Sequence, residues 1–326
     1  MGRATSQKLR GKLLAAQQRG RFAVPASPNE RKALERRVGR GEIVSPHYGM
    51  YAFQDYVRSL SARELAVHAL RTVAHLHPDW TFCSFSAALA WGLDVPNALL
   101  LPLSVAVGPN AHKRRMRGHL RCRTVTGDEP CTVRGVRVTS LGRTLLDCAC
   151  HGGFRQGLVT CDAALHWGLI TLEQVRAYFE QHGSRRHGVA AARMVARYAD
   201  GRSENGGESI VRAVIIELGF DVPELQVEVD DPMRPGAPRK VDFYWRLPDG
   251  GAVILELDGL KKYYAGAAFE SERGVREVAR RFSEERLRES HINLTGATVL
   301  RASFSQATNE DYLFRLLARA GVPLER

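Results

Sequence analysis

The sequence predicts an α+β protein of more than one domain. Three observations point there: a chain of 326 residues, longer than one hydrophobic core usually fills; helical and strand periodicities that alternate along it; and a polar, glycine-rich stretch at 199–207 that reads as a boundary. The expected division is 1–60, 61–200 and 201–326. The longest apolar run, Ala98 to Val107, is interrupted by Pro102 and Ser104 and falls well short of the roughly 18 residues of a membrane span. The opening residues lack the apolar core of a secretory signal. A cytoplasmic protein with no membrane partner is the expectation.

Residues 8–19 and 29–39 read as helices rich in Lys and Arg, with Asn29-Glu30 as a cap region for the second. A hairpin over 42–52, turning at Pro46-His47, follows Gly39-Arg40-Gly41. Two helices and a hairpin make a winged-helix outline, in which a helix enters the DNA groove and the wing meets the backbone. Arg36, Arg37 and Arg40 are then the DNA-contacting candidates. The competing reading is a helical hairpin that packs only on its own chain.

Further helices are expected at 61–77 and 84–92, then strands at 101–108, 119–126 and 131–139. Lys113, Arg114 and Arg115 form a basic loop between the first two strands, suited to phosphate contact or simply to solvent. Helices resume at 141–150, 155–167, 171–181 and 185–199. All six cysteines lie in this front part with no zinc-type spacing, so they read as structural thiols of a reducing compartment. There is no internal repeat, Walker loop or dinucleotide fingerprint.

Charge divides the chain. Residues 1–200 carry 29 Lys+Arg against 14 Asp+Glu, a net of +15, and residues 201–326 carry 18 against 21, a net of −3. A basic front suits a polyanionic partner such as DNA. The rear reads helix, strand, strand, strand, helix, strand, with the second helix over 267–290.

The rear carries the acids that point to chemistry. Glu208 opens a helix after Gly206-Gly207, Asp242 lies in the strand Lys240 to Trp245, and Glu256 and Asp258 lie in the strand Gly251 to Asp258. Strand alternation puts Glu256 and Asp258 on one side of the pleat. Carboxylates converging from two strands and a helix are what Mg²⁺ or Mn²⁺ requires, since these ions take oxygen ligands. The expected metal set is Glu208, Asp242, Glu256 and Asp258; acids facing water at strand ends are the alternative. Lys261 and Lys262 compete for a phosphate-facing role, with Lys262 preferred. Arg280 and Arg288 are candidates on the following helix, and Tyr263 and Tyr264 could stack on bases. His112 and His291 receive no role.

The order of these segments resembles two known groups. Gly39 to Tyr51, Ser84 to Leu93 and Val138 to Asp147 resemble the AbiEi-family antitoxins of type IV toxin–antitoxin systems. Arg202-Ser203-Glu204 with Glu208-Ser209, Val241-Asp242 and Glu256-Leu257-Asp258-Gly259 resemble the very-short-patch-repair branch of the PD-(D/E)xK nucleases. The resemblance implies a DNA-associating winged-helix front and a restriction-endonuclease-like rear with a central mixed sheet. It implies that Asp242 is the first acid, Glu256 the second and Glu208 a supporting glutamate. Asp258 stands where the superfamily has Lys, and Leu260 to Tyr264 lacks the His of the repair branch. Two functions follow as expectations. One is a metal-dependent endonuclease or nickase with catalytic residues Asp242, Glu256, Asp258 and Lys262. The other is a non-catalytic repressor of the antitoxin kind with a cognate toxin as partner.

Overall fold

The computed structural model describes residues 3–109, 120–234, 236, 238–258, 280, 287 and 291–325. The fold is a mixed α+β one with several small sheets. The chain divides into two compact units, 1–160 with 170–197, and 161–169 with 198–326. Most of 1–60 and 61–200, drawn apart in the sequence, clusters in the first unit, while 161–169 and 198–200 cluster with the second.

In the first unit, α1 (Arg3–Gln18) and α2 (Pro28–Gly39) precede a hairpin of β1 (Ile43–His47) and β2 (Met50–Phe53). Leu9 and Leu13 of α1, Ala33 and Leu34 of α2, and Ile43 and Tyr51 of the hairpin form one core. Residue Ala23 pairs with Tyr51 as an extra edge of the hairpin. The cap of α2 is Ser27, whose hydroxyl accepts from the Glu30 amide at 3.2 Å. Pro28 follows at the first helical position, where its missing N–H costs nothing. Asn29-Glu30, the expected cap region, therefore lies inside the helix. The tip of the hairpin is Tyr48-Gly49, two residues beyond the expected turn, because Gly49 supplies φ +68°.

Beyond α3 (Gln54–Ser59), α4 (Ala62–Leu76) and α5 (Ser84–Trp91), β3 (Leu103–Val107) runs parallel to β4 (Leu120–Thr124). The single strand expected over 131–139 is a hairpin of β5 (Cys131–Val133) and β6 (Val136–Val138). Arg134 and Gly135 both have positive φ, 50° and 77°, the backbone of a tight two-residue turn. Phe82 bridges β3 and β6.

The two helices expected over 141–167 are α6 (Leu141–His166), broken at Gly153 with φ 83° and ψ −175°. This conformation is open to glycine and costly for other residues. Helices α7 (Leu172–Gly183) and α8 (Val189–Tyr198) complete the unit. All six cysteines are free thiols, and burial pushes Cys83 up to about 12 and Cys148 well above the usual thiol value.

The second unit holds α9 (Gly206–Glu217), β7 (Glu224–Val229), β8 (Arg239–Arg246), β9 (Ala252–Asp258), β10 (Ala297–Ser303), α10 (Phe304–Ala307) and α11 (Glu310–Arg319). The sheet order is β10-β9-β8-β7, with β7, β8 and β9 antiparallel in turn and β9 and β10 parallel. One face packs Leu225, Phe243, Trp245, Val253 and Leu255 against Val211, Val214 and Ile215 of α9 and Leu313 and Leu317 of α11. The other face gathers Val241, Ile254, Ile292 and Ala297 with Val227, Val229 and Tyr244.

Asp162, within 161–169, ties that piece to α9. Its carboxylate meets Arg212 Nη2 at 2.5 Å, with side-chain exposures of 1% and 2%, and accepts from the Asp200 amide at 2.8 Å. An ion pair this buried holds position because neither charge can be left alone in the interior. None of the described helices is long and apolar enough to cross a membrane.

Candidate functional site

The acidic residues of the second unit gather where two strands change face. Leu225 and Val227 are two residues apart on β7, yet they join opposite cores; so do Phe243 and Val241 on β8. Simple alternation would put each pair on one side. Leu225 pairs with Phe243 and Val227 with Val241, so both strands reverse at the row between, which contains Gln226 and Asp242. Gln226 marks the irregularity with φ +53°, a left-handed backbone unusual for glutamine.

This row meets the start of α9. Asn205 caps that helix, its side-chain oxygen accepting from the amides of Gly207 and Glu208 at 2.9 and 3.1 Å. Glu208 reaches back, accepting from the Glu204 amide at 2.8 Å, from Asn205 Nδ2, and from Gln226 Nε2 at 3.3 Å. The carboxyl is only 4% exposed. Burial first, and the nearby charge of Asp242 in addition, push its pKa up to about 7 despite the Glu204 amide.

Asp242 is half-buried and accepts from the backbone amide of Leu257 at 2.8 Å. The β8–β9 pairing runs to Phe243 against Leu255, and the Asp242 carboxylate extends the contact between the strands. Glu256 therefore lies one residue beyond the last paired row, beside Asp242. Of the sequence-expected acids, Glu208 and Asp242 come close enough for the charge of one to act on the other, whereas Glu256 follows Leu255 on β9, whose side chain packs with α9.

Asp258 is engaged differently from the expectation of a metal ligand. Its Oδ1 accepts from Arg301 Nε at 2.8 Å and also from Arg301 Nη2. Among the described residues no three His, Cys, Asp or Glu side chains are grouped closely enough to hold a metal ion, so the four-carboxylate set is not assembled in this structure. Charge neutralisation of Asp258 by Arg301 is the physical reason for its departure.

Lys113, Arg114, Arg115, Lys261, Lys262, Tyr263, Tyr264, Arg288 and His112 lie outside the described residues. Arg280 is helical and exposed. His291 faces Asp231, with Nδ1 3.0 Å from Oδ1.

In the first unit the basic candidates divide. Arg37 Nη2 donates to Ser6 Oγ at 2.6 Å and its guanidinium lies 3.9 Å from Glu42, leaving its side chain 13% exposed. It stitches α1, α2 and the start of the β1–β2 hairpin together. Arg40 is 74% exposed and only 3.8 Å from Glu42, and Arg36 is exposed on α2. Arg31 lies over the ring of Tyr48 at the tip of the hairpin, 5.8 Å from its centroid, a cation–π contact.

Sequence reading missed Gln226 and Arg301. A glutamine in left-handed backbone has no composition signal. Arg301 lies at a strand position whose neighbour, Glu256, is known only once β9 and β10 are paired.

The chain is 30% identical over 243 residues to an uncharacterized protein of Mycobacterium tuberculosis, found in strains H37Rv and CDC 1551. The match covers 73% of this chain and 81% of the mycobacterial one. The chain belongs to the family of that mycobacterial protein. No family model and no solved structure matches it.

Proposed function

We propose that this protein binds DNA through its first unit and that the acidic row of its second unit serves metal-assisted phosphodiester hydrolysis, as an endonuclease or nickase of the cytoplasm. The observation that carries this reading is the meeting of Glu208, Gln226 and Asp242 at the row where β7 and β8 change face, with Glu256 adjacent on β9. Such a row presents acids at a strand irregularity instead of burying apolar groups there. The likeness to PD-(D/E)xK nucleases assigns the same residues.

Asp242 and Glu256 would hold Mg²⁺ or Mn²⁺, with Glu208 in support. When bound, such an ion lowers the pKa of a water and neutralises the phosphate. The fit rests on two facts: the donors are carboxylate oxygens, and the charge of Asp242 already presses on the buried Glu208. Glu208 retains its proton into the neutral range, so its charge becomes available when a cation arrives. The Leu257 amide fixes the orientation of Asp242. Arg301 compensates Asp258 and places a guanidinium beside the acids, suited to meet a phosphate oxygen. It supplies the positive group for which Lys262 is the sequence-based candidate.

Purified protein is expected to nick supercoiled plasmid with Mn²⁺ or Mg²⁺, and Asp242→Ala or Glu256→Ala to abolish this. Activity surviving both changes would remove the site.

The Arg301–Asp258 pair favours a second reading: a non-catalytic regulator of the antitoxin kind, with a toxin as partner and the second unit as a binding module. On that reading a promoter fragment is shifted in a salt-dependent way, and neither acid matters to it.

A further inference from the structure

The charges of four arginines of the first unit act on a single histidine, His151. His151 sits at the end of the first segment of α6, just before the break at Gly153. Its Nδ1 lies 3.2 Å from Ser84 Oγ, at the start of α5. Ser84 is fully buried and has φ +52°, so a rigid, strained residue sets the ring from beneath, with Nε2 left for another partner. Burial first, and the charges of Arg123, Arg186, Arg143 and Arg121 in addition, lower the pKa of His151 to about 4.

The acid nearby does not balance them. Asp147 takes Arg143 Nε and Arg186 Nη1, each at 2.9 Å, on the same oxygen, Oδ1. Arg143 spends its other arm on the Thr126 carbonyl at 2.7 Å. Asp147 Oδ2 and Arg123 Nε are buried with no hydrogen-bond partner among the described residues. Arg123 is half-buried, and burial together with Arg121 makes its positive charge harder to keep. A partly buried cation of this kind is costly unless an anion meets it. One carboxylate against four guanidiniums leaves the cluster strongly positive.

We propose that Arg121, Arg123, Arg186 and His151 form a binding site for a phosphate group, with Arg143, Asp147 and Ser84 as its buried support. Guanidiniums recognise phosphate oxygens through paired, charge-assisted hydrogen bonds. The site uses none of the hairpin residues and none of the acids of the second unit. The phosphate is carried either by a free nucleotide or by a nucleic-acid strand, and the two sources share this chemistry.

The test is calorimetric titration of the full chain with inorganic phosphate, with a nucleoside 5′-monophosphate, and with a short DNA oligonucleotide. Sodium chloride of equal ionic strength serves as the control. His151 is followed in parallel by its imidazole NMR signals, assigned with His151→Gln. Phosphate is expected to raise the His151 pKa and to bind with an affinity that falls roughly tenfold or more in Arg123→Gln and in Arg186→Gln. Arg123→Gln removes a cation without a carboxylate partner in hydrogen-bonding contact among the described residues, so its melting temperature should match or exceed that of the parent. Tighter binding of the mononucleotide assigns the site to a free nucleotide, and tighter binding of the oligonucleotide, still lost in Arg123→Gln, assigns it to a strand. Three results overturn the proposal: no phosphate probe moves the His151 signals, chloride moves them equally, or the two variants bind like the parent.

Discussion

Arg301 of β10 is the Cα partner of Glu256 on β9, yet its guanidinium donates to Asp258, two residues further along. The diagonal supplies Asp258 with a cation that the spacing of Glu256 and Asp258 does not reveal. Side-chain exposures of 27% and 35% place the pair at the rim, where solvent weakens it.

Arg301→Gln is accordingly expected to cost little stability, about 1 kcal/mol or less, and to uncover Asp258. Mn²⁺ should then raise the melting temperature by more than it does in the parent, while plasmid nicking drops because the phosphate loses a cation. Thermal denaturation with and without Mn²⁺, beside a nicking assay, reads both effects.

Glu208 gives the second unit a pH dependence of definite sign. Its pKa in the folded chain, about 7, lies above the ordinary 4.5, so folding favours the protonated form. The contribution is fully present below pH 4.5 and is lost as pH rises through 7, on the order of a few kcal/mol. Denaturant unfolding measured from pH 5 to 8 should show stability falling across this range, with the slope flattened in Glu208→Gln. The slope is the readout, since the glutamine also disturbs the hydrogen bond from Asn205.

Asp162 and Arg212 are expected to be costly to separate. Asp162→Ala leaves a guanidinium at 2% exposure without its anion and also frees the Asp200 amide. A loss of about 3–5 kcal/mol follows, measurable as a lower urea midpoint.

In the first unit, Arg36→Ala and Arg40→Ala should weaken DNA binding without unfolding. Each is expected to reduce the slope of log affinity against log salt by about 0.9 if it contacts one phosphate. Arg37→Ala should instead lower the melting temperature, because its bonds to Ser6 and Glu42 hold the start of the hairpin to α1. Unchanged salt slopes in the first two would take DNA recognition away from α2.

Local pattern determined much of this protein. The strand character of β8, the alternation in β9, the helix starting near Glu208, the hairpin after Gly41 and the charge difference between the two parts are properties of neighbouring residues. They place Glu208, Asp242, Glu256 and Asp258 on a helix end and two strands without any knowledge of packing. The tertiary structure decided what those residues meet. The reversal of face at Gln226 and Asp242, the capture of Asp258 by Arg301 and the assignment of 161–169 through Asp162 all join positions distant in the chain. So does the action of four arginine charges on His151. Side-chain periodicity reports which face a residue occupies, whereas ion pairing, burial and strand register depend on which distant segment arrives there.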